Sequence, residues 1–259
     1  MKKLARLPGR ISDDLRIIAM ARNWSEILTA KARQTPLGAI RLRNGVVLES
    51  PPQVDLNFLF HEIWIDEFYA PKGYEIIGGD TVVDIGANIG VFATWAATKK
   101  PNVRVISFEP FPSNAAIFEK NIAASRLGNV EFHPVAVGAG NEKRTLNVSD
   151  SWILHSLSDN EQSENGISID CVGLDSAMEN VEKCDLLKLD CEGGEYEILY
   201  SASAGTISKI KRVVCEYNLL DDEKRNGKGL SDFLTANGFL VGEHRQLDHT
   251  SGFICAKRA

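Results

Sequence analysis

Residues 82–92 read VVDIGANIGVF: a short apolar run, an acid, and a turn built on Gly86, Asn88 and Gly90. Thr81–Ile85 has the length and β-branched content of a buried strand, and Ile89–Thr98, carrying Phe92 and Trp95, reads as the helix that follows. Glycines at 86 and 90 allow a tight turn and close approach of a ligand. Asn88 is the non-glycine type that best tolerates a left-handed backbone. Such strand–loop–helix units commonly cradle phosphates on the helix N-terminus. Asp84 argues against that here, because a carboxylate repels a phosphate. The spacing G-x-N-x-G also departs from the dinucleotide fingerprint G-x-G-x-x-G, and no G-x-x-x-x-G-K-[ST] loop is present.

The same alternation continues downstream. Strands are expected at Arg104–Phe108, Val130–Val137, Leu186–Leu189 and Arg212–Cys215. Helices are expected at Ser113–Leu127, capped by Ser113 and closed by Gly128, at about Glu195–Ser203, and at Gly229–Asn237. Phe239–Glu243 and Gly252–Ala256 read as a closing hairpin. Residues 138–175 are less regular, with strand-like runs at 144–148 and 167–174. Repeated βα units of this kind give an α/β fold with a doubly wound, mostly parallel sheet. Upstream, residues 12–33 have helical spacing with Ser12 as cap, 39–49 form a hairpin about Asn44-Gly45, and 54–69 suggest a second short helix. Pro71, Gly73 and Gly78-Gly79 mark a boundary near residue 75. The expected organisation is a helical and hairpin extension, 1–75, acting as a cap or as a substrate or oligomer element, and a ligand-binding domain, 76–259.

Composition narrows the class. The chain has 259 residues, 44% hydrophobic and 25% charged, enough for a sizeable core. A net charge of -6 does not favour nucleic acid. The five cysteines lack paired zinc-ligand spacing, and their odd number suits a reducing cytoplasm. The basic start MKKLARLPGR is followed by no long apolar run, so neither a signal peptide nor a membrane span is expected.

In an open parallel sheet, ligands bind at the carboxyl ends of the strands, near the switch in strand order. Those ends carry Asp84, Glu109, Asp190 with Glu192, and Glu216 with Asn218. Four acidic ends on one edge repel each other, so they point to a binding site rather than to helix caps alone. Glu109, 25 residues after Asp84, is placed to accept hydrogen bonds from both hydroxyls of an adenosine ribose. That feature is shared by NAD and S-adenosylmethionine. Asp84 separates them: it repels a pyrophosphate and attracts an amino-acid ammonium.

Four segments, VVDIGANIGVF, VISFEPFPSNAAIFEKNI, LLKLDCEGGEYEIL and VVCEYN, resemble the FkbM family of S-adenosylmethionine-dependent methyltransferases, in the family's order and across most of residues 80–218. The resemblance implies a class I Rossmann-like fold with strand order 3-2-1-4-5-7-6 and strand 7 antiparallel. It implies O-methylation of a sugar, polyketide or other small metabolite. It places Asp84, Gly86, Ala87, Asn88 and Gly90 in the cofactor loop, Glu109 on the ribose, and Pro110 and Phe111 beside the adenine, with Ala136 and Val137 bordering it. Asp190, Glu192 and Glu195 would edge the methyl-transfer site, with Asp190 also touching cofactor, while Tyr196 and Ile198 belong to the helix core. As general base, Asp190 is the first candidate because it ends the strand nearest the expected methyl position, with Glu192 second. His155, in the polar loop SWILHSL, is the histidine candidate; His61 and His133 read as structural, and His244 and His249 as solvated. Asp190, Glu216 and Asn218 offer oxygens to a hard cation, but Mg²⁺ is not expected. A nucleic-acid methyltransferase is disfavoured, since an aromatic for a flipped base is missing at Asp190-Cys191-Glu192-Gly193. A non-catalytic S-adenosylmethionine-binding module and a nicotinamide oxidoreductase remain the other classes. The expected partner is a small-molecule or glycan acceptor, without stable membrane insertion, and homo-oligomerisation is left open.

Overall fold

Seven strands form the central sheet: β1 (Thr81–Ile85), β2 (Arg104–Phe108), β3 (Val130–His133), β4 (Leu186–Leu189), β5 (Arg212–Asn218), β6 (Phe239–Gln246) and β7 (Ser251–Arg258). They come from a computed structural model that describes residues 11–147, 156–158, 166–220 and 222–258. The order is β6-β7-β5-β4-β1-β2-β3, with β1 to β5 parallel and β7 antiparallel to both β5 and β6. This is the expected 3-2-1-4-5-7-6 arrangement. The chain runs from β1 outward to β3, then returns to the other side of β1 with β4, so the switch point lies between β1 and β4. Strand β4 is buried at all four residues. That explains its apolar run, since a central parallel strand is covered on both faces. Lys188 is the exception.

One face of the sheet packs against the helix Val91–Lys99, whose residues Val91 through Ala97 are all buried. The extension packs on the same side. Ile17, Ile27, Leu48 and Phe60 share one core with Phe92, Trp95, Leu186 and Phe253. The opposite face buries Tyr196, Ile198 and Leu199, of the helix Glu195–Ser201, with Leu230 and Leu234. Asn121 ties the extension down. Its carboxamide bonds the backbone N–H and carbonyl of Glu49 and the carbonyl of Ile89.

Several local expectations are corrected. The single helix over 12–33 is two helices, Ile11–Met20 and Trp24–Arg33. Between them Ala21 bridges to Leu42, and Asn23 accepts from the Arg41 N–H and donates to the Ala39 carbonyl. Docking on the hairpin Ala39–Arg41/Val47–Glu49 therefore interrupts the helix, and Ser12 lies inside the first one rather than capping it. The region 54–69 is the helix Leu56–Phe60 continued by a π-turn, His61–Ile65. The helix after β2 is Pro112–Ala124, with Pro112 in its first turn and Phe111 at the cap. Arg126, not Gly128, takes the left-handed position after it, at φ 55°. The expected third strand Val130–Val137 breaks at Pro134, which lacks a ladder donor. Ala136–Gly138 turns into a second sheet, parallel to Gly166–Gly173, which pairs antiparallel with Glu142–Asn147. Among the described residues no helix is long and apolar enough to cross a membrane.

Candidate active site at the switch point

The loops after β1 and β4 touch. A Cβ at Gly86 (φ 79°) would lie 1.8 Å from the Asp190 carbonyl oxygen, so only glycine fits. Asn88 and Gly90 also have positive φ, 51° and 85°. Every N–H of the loop is used inside the protein. Gly86 and Ala87 both donate to the Phe108 carbonyl, Asn88 to Glu109 Oε2 at 2.8 Å, Ile89 to its neighbour Asn88 Oδ1, and Gly90 to the Ala87 carbonyl. A pyrophosphate would find no amide here to bind. The exclusion drawn from Asp84 thus holds, on a different physical ground.

Asp84 itself does not line the cavity. It is 0% exposed, and Oδ1 lies 3.1 Å from Lys188 Nζ, its register partner on β4. Burial raises its carboxyl and Lys188 opposes the rise. Lys188 also donates to the Gly86 carbonyl at 2.7 Å and sits 3.9 Å from Asp190 Oδ2. Burial pulls the ammonium down, but Asp84 and Asp190 outweigh it and hold it above its ordinary value. The expected countercharge to Asp84 is therefore built into the chain, and Lys188 is a residue that sequence reading missed.

A cavity at the switch point brings together Gly86, Asn88, Glu109 and Pro110 with Ala136, Val137, Asp190 and Glu192. Ile85, Phe108, Asn114, Leu146 and Cys191 complete it and were not foreseen. Ala87 is turned into the core, and Gly90 abuts the Phe118 ring. Phe111 contributes its N–H, which donates to Glu109 Oε1 at 3.0 Å, while its side chain packs beside Ala136 and Leu146. Glu109 is 6% exposed; burial raises its carboxyl, against the N–H groups of Phe111 and Asn88 and the Asn114 side chain. The Asn88 and Phe111 N–H groups occupy two of its acceptor sites, one on each carboxylate oxygen.

Asp190 accepts a hydrogen bond from the Tyr69 hydroxyl at 2.8 Å, and the same hydroxyl lies 3.3 Å from Glu216 Oε2. Tyr69 comes from the extension and is 3% exposed. Burial, then Asp190 and Glu216, push its phenol well above the ordinary value. Glu216 lines a second, larger cavity between the extension (Arg16, Glu62, Phe68) and the strand ends (Glu243, Arg245). Tyr69 thus links the walls of two cavities. Glu192 (φ 54°) accepts from the Asn218 amide at 3.1 Å. Asp190 and Glu216 thus share the Tyr69 hydroxyl, and Asn218 is bonded to Glu192. Among the described residues no group of three or more His, Cys, Asp or Glu is placed to hold a metal ion. Glu195 turns inward, 0% exposed, and accepts from the N–H groups of Cys191 and Gly193; it shapes the loop and does not edge the cavity. Burial raises it to about 7. Tyr196 and Ile198 are core, as expected. His133 stacks on Phe108 and pairs with Glu131; His244 is bonded to the Tyr217 hydroxyl. His155 lies outside the described residues.

A sheet of this order, with a glycine turn after β1 whose amides are spent internally, and a buried carboxylate after β2, defines a class I methyltransferase dependent on S-adenosylmethionine. Residues 84–253 match the model of the Methyltransferase FkbM domain, and the chain belongs to that family. It is 28% identical over 216 residues to the 31-O-demethyl-FK506 methyltransferase FkbM of Streptomyces tacrolimicus, covering 70% of this chain and 82% of that protein. It is 25% identical over 215 residues to Methyltransferase 1 of Beauveria bassiana, covering 74% and 84%. It is 22% identical over 244 residues to the AMB antimetabolite synthetase AmbE of Pseudomonas aeruginosa, covering 78% of this chain but spanning only 11% of the synthetase. Among solved structures, a putative rRNA-methylase from Clostridium thermocellum is similar at 12% identity and a TM-score of 0.49, covering 75% of this chain and 97% of that one.

Proposed function

We propose that this methyltransferase methylates a hydroxyl oxygen of a small molecule or glycan, with the acceptor entering from the cavity beneath the extension. The observation that carries the reading is the Asp190–Tyr69–Glu216 junction between the two cavities. The name of the Streptomyces relative, which specifies an O-demethylated small molecule, supports the oxygen acceptor.

Gly86, Asn88, Glu109, Pro110, Ala136, Val137 and Asp190 would hold S-adenosylmethionine, which supplies a methyl group already activated on a sulfonium. Glu109 takes the ribose, and the apolar walls at Phe108, Ala136, Val137 and Leu146 take the adenine. The chain's own task is then to orient the acceptor and to receive its proton. Orientation contributes on the order of 7–11 kcal/mol in well-aligned systems. Asp190 is the base of this reading, because it lines the cofactor cavity and its carboxylate is held by Tyr69 and Lys188; Glu192 is the second candidate. Residues 1–75 serve as the acceptor-side cap. The acids Glu62, Glu216 and Glu243 on that side disfavour polyanions, nucleic acid included.

The test is release of S-adenosylhomocysteine from S-adenosylmethionine over a panel of hydroxylated and amino compounds. Turnover on a hydroxyl substrate, lowered about 10²–10⁴-fold by Asp190→Asn and lowered more than cofactor affinity, is expected. Turnover confined to amines, or full activity in Asp190→Asn, overturns the oxygen acceptor or the base, respectively.

A further inference from the structure

Three arginines share one face of the extension, and the register of the chain puts them there. Ala21 bridges antiparallel to Leu42, with both side chains buried. The next cross-strand pair is Arg22 and Arg41, joined by the Arg22 N–H and the Arg41 carbonyl at 2.7 Å. On the other side of the bridge the Arg43 N–H donates to the Met20 carbonyl at 2.8 Å. Side chains alternate along a strand, so with Ile40 and Leu42 turned into the core, Arg41 and Arg43 both face outward. All three arginines are exposed. Among the described residues none of them is ion-paired: Arg43 Nη2 reaches the Ile18 carbonyl at 3.4 Å, and Glu26 is bonded to the Asn23 carboxamide. Like charges set directly opposite destabilise a strand pair. An anion placed against this face would relieve the repulsion.

The apolar groups beside the arginines identify the kind of anion. Among the described residues four large hydrophobic side chains are exposed, and two of them flank the cluster. Leu15, 59% exposed, is on the helix that ends beside Arg43, and Trp24, 39% exposed, opens the helix two residues after Arg22. A free phosphate offers nothing to a leucine or an indole. A bilayer surface offers both partners: anionic headgroups for the guanidinium groups, and an interfacial layer in which tryptophan is enriched. The net charge of -6 does not oppose such a contact, because charges beyond about 10 Å are largely screened at about 0.1 M salt. We propose that the face formed by Arg22, Arg41, Arg43, Leu15 and Trp24 docks the enzyme reversibly on an anionic lipid surface. The contact carries no segment across the membrane, and it stands independently of the cofactor and acceptor readings.

Flotation with phosphatidylcholine vesicles, with and without phosphatidylglycerol, tests this on the wild type, on Arg22→Gln/Arg41→Gln and on Trp24→Ser. Each basic residue near such a surface corresponds to about a 5-fold change in affinity. The wild type is expected to bind only the vesicles that contain phosphatidylglycerol. It should be released at about 1 M salt, where the Debye length falls to about 3 Å. The double variant should bind about 25-fold weaker. Trp24→Ser should bind weaker than the wild type and lose the blue shift in tryptophan fluorescence that the wild type shows on the vesicles. Both arginine substitutions relieve a repulsion, so the double variant should be no less stable than the wild type in urea. Equal binding to both kinds of vesicle, or unchanged binding in the double variant, overturns the proposal. So does a double variant less stable than the wild type, which would show that the arginines serve the fold. Trp24→Ser binding as tightly as the wild type leaves a soluble anion as the ligand and overturns the lipid surface. Binding of polyuridylate in place of vesicles assigns the face to nucleic acid and overturns it as well.

Discussion

Replacing Lys188 by methionine keeps much of the side chain's length and removes its charge. In the wild type Lys188 is 2% exposed, and its ammonium lies 3.1 Å from an Asp84 that is 0% exposed and is bonded to the Gly86 carbonyl at 2.7 Å. Removing one partner of a buried ion pair leaves the other uncompensated and costs about 3–5 kcal/mol. Set against a typical total of about 5–15 kcal/mol, that is a large part of the fold's stability. The loss should depend on pH. Without Lys188 the folded-state pKa of Asp84 rises further above the unfolded value of about 3.9, so the folded state binds the extra proton. Stability then falls as pH rises between the unfolded and folded pKa values. Lys188→Met should therefore be less impaired at about pH 5 than at about pH 8. Urea titrations at both values, on Lys188→Met, Asp84→Asn and the double variant, give the measurement, and the double variant should recover much of the loss. A cost below about 1 kcal/mol, or a double variant no better than Lys188→Met, would refute the claim that β1 and β4 are joined by this pair.

Three further outcomes follow from the same geometry. Glu195, raised to about 7 by burial, should make the wild type less stable as pH climbs from its unfolded pKa toward 7, by up to about 3 kcal/mol. Glu195→Gln should flatten that stretch of the stability–pH curve, and an unchanged slope would contradict the inward placement. Gly86→Ala forces a Cβ against the Asp190 carbonyl at a positive φ; we expect at least about 1–3 kcal/mol of destabilisation and weakened S-adenosylhomocysteine binding by calorimetry. Tyr69→Phe removes the donor at Asp190 and Glu216; turnover on an identified acceptor should fall while cofactor affinity stays within about 2-fold, and equal kcat in variant and parent would remove Tyr69 from the site.

Much of the fold was legible because its signals are local. The apolar runs of β1, β4 and β5 are what parallel strands covered on both faces must contain, and Gly86, Asn88 and Gly90 announce a turn with positive φ. The site was legible where strand ends were enough: Glu109, Asp190 and Glu192 all reach the cavity. It was not legible where a side chain's meaning depends on its neighbour. Nothing in the residues next to Lys188 or Tyr69 marks either one; each gains its role from Asp84, Asp190 and Glu216, which other segments supply. The Pro134 break and the split of residues 12–33 likewise depend on what those segments dock against.

By itself, the sequence determined the strand–loop–helix repeat, the edge on which the acids gather, and the absence of a phosphate loop, because hydrophobic period and turn chemistry are properties of a few consecutive residues. Only the tertiary structure decided what Asp84 is for. The register of β4 against β1 sets Lys188 opposite it, in an interior where neither charge can remain alone, and so the acid in VVDIGANIGVF pairs β1 with β4 instead of lining the cavity.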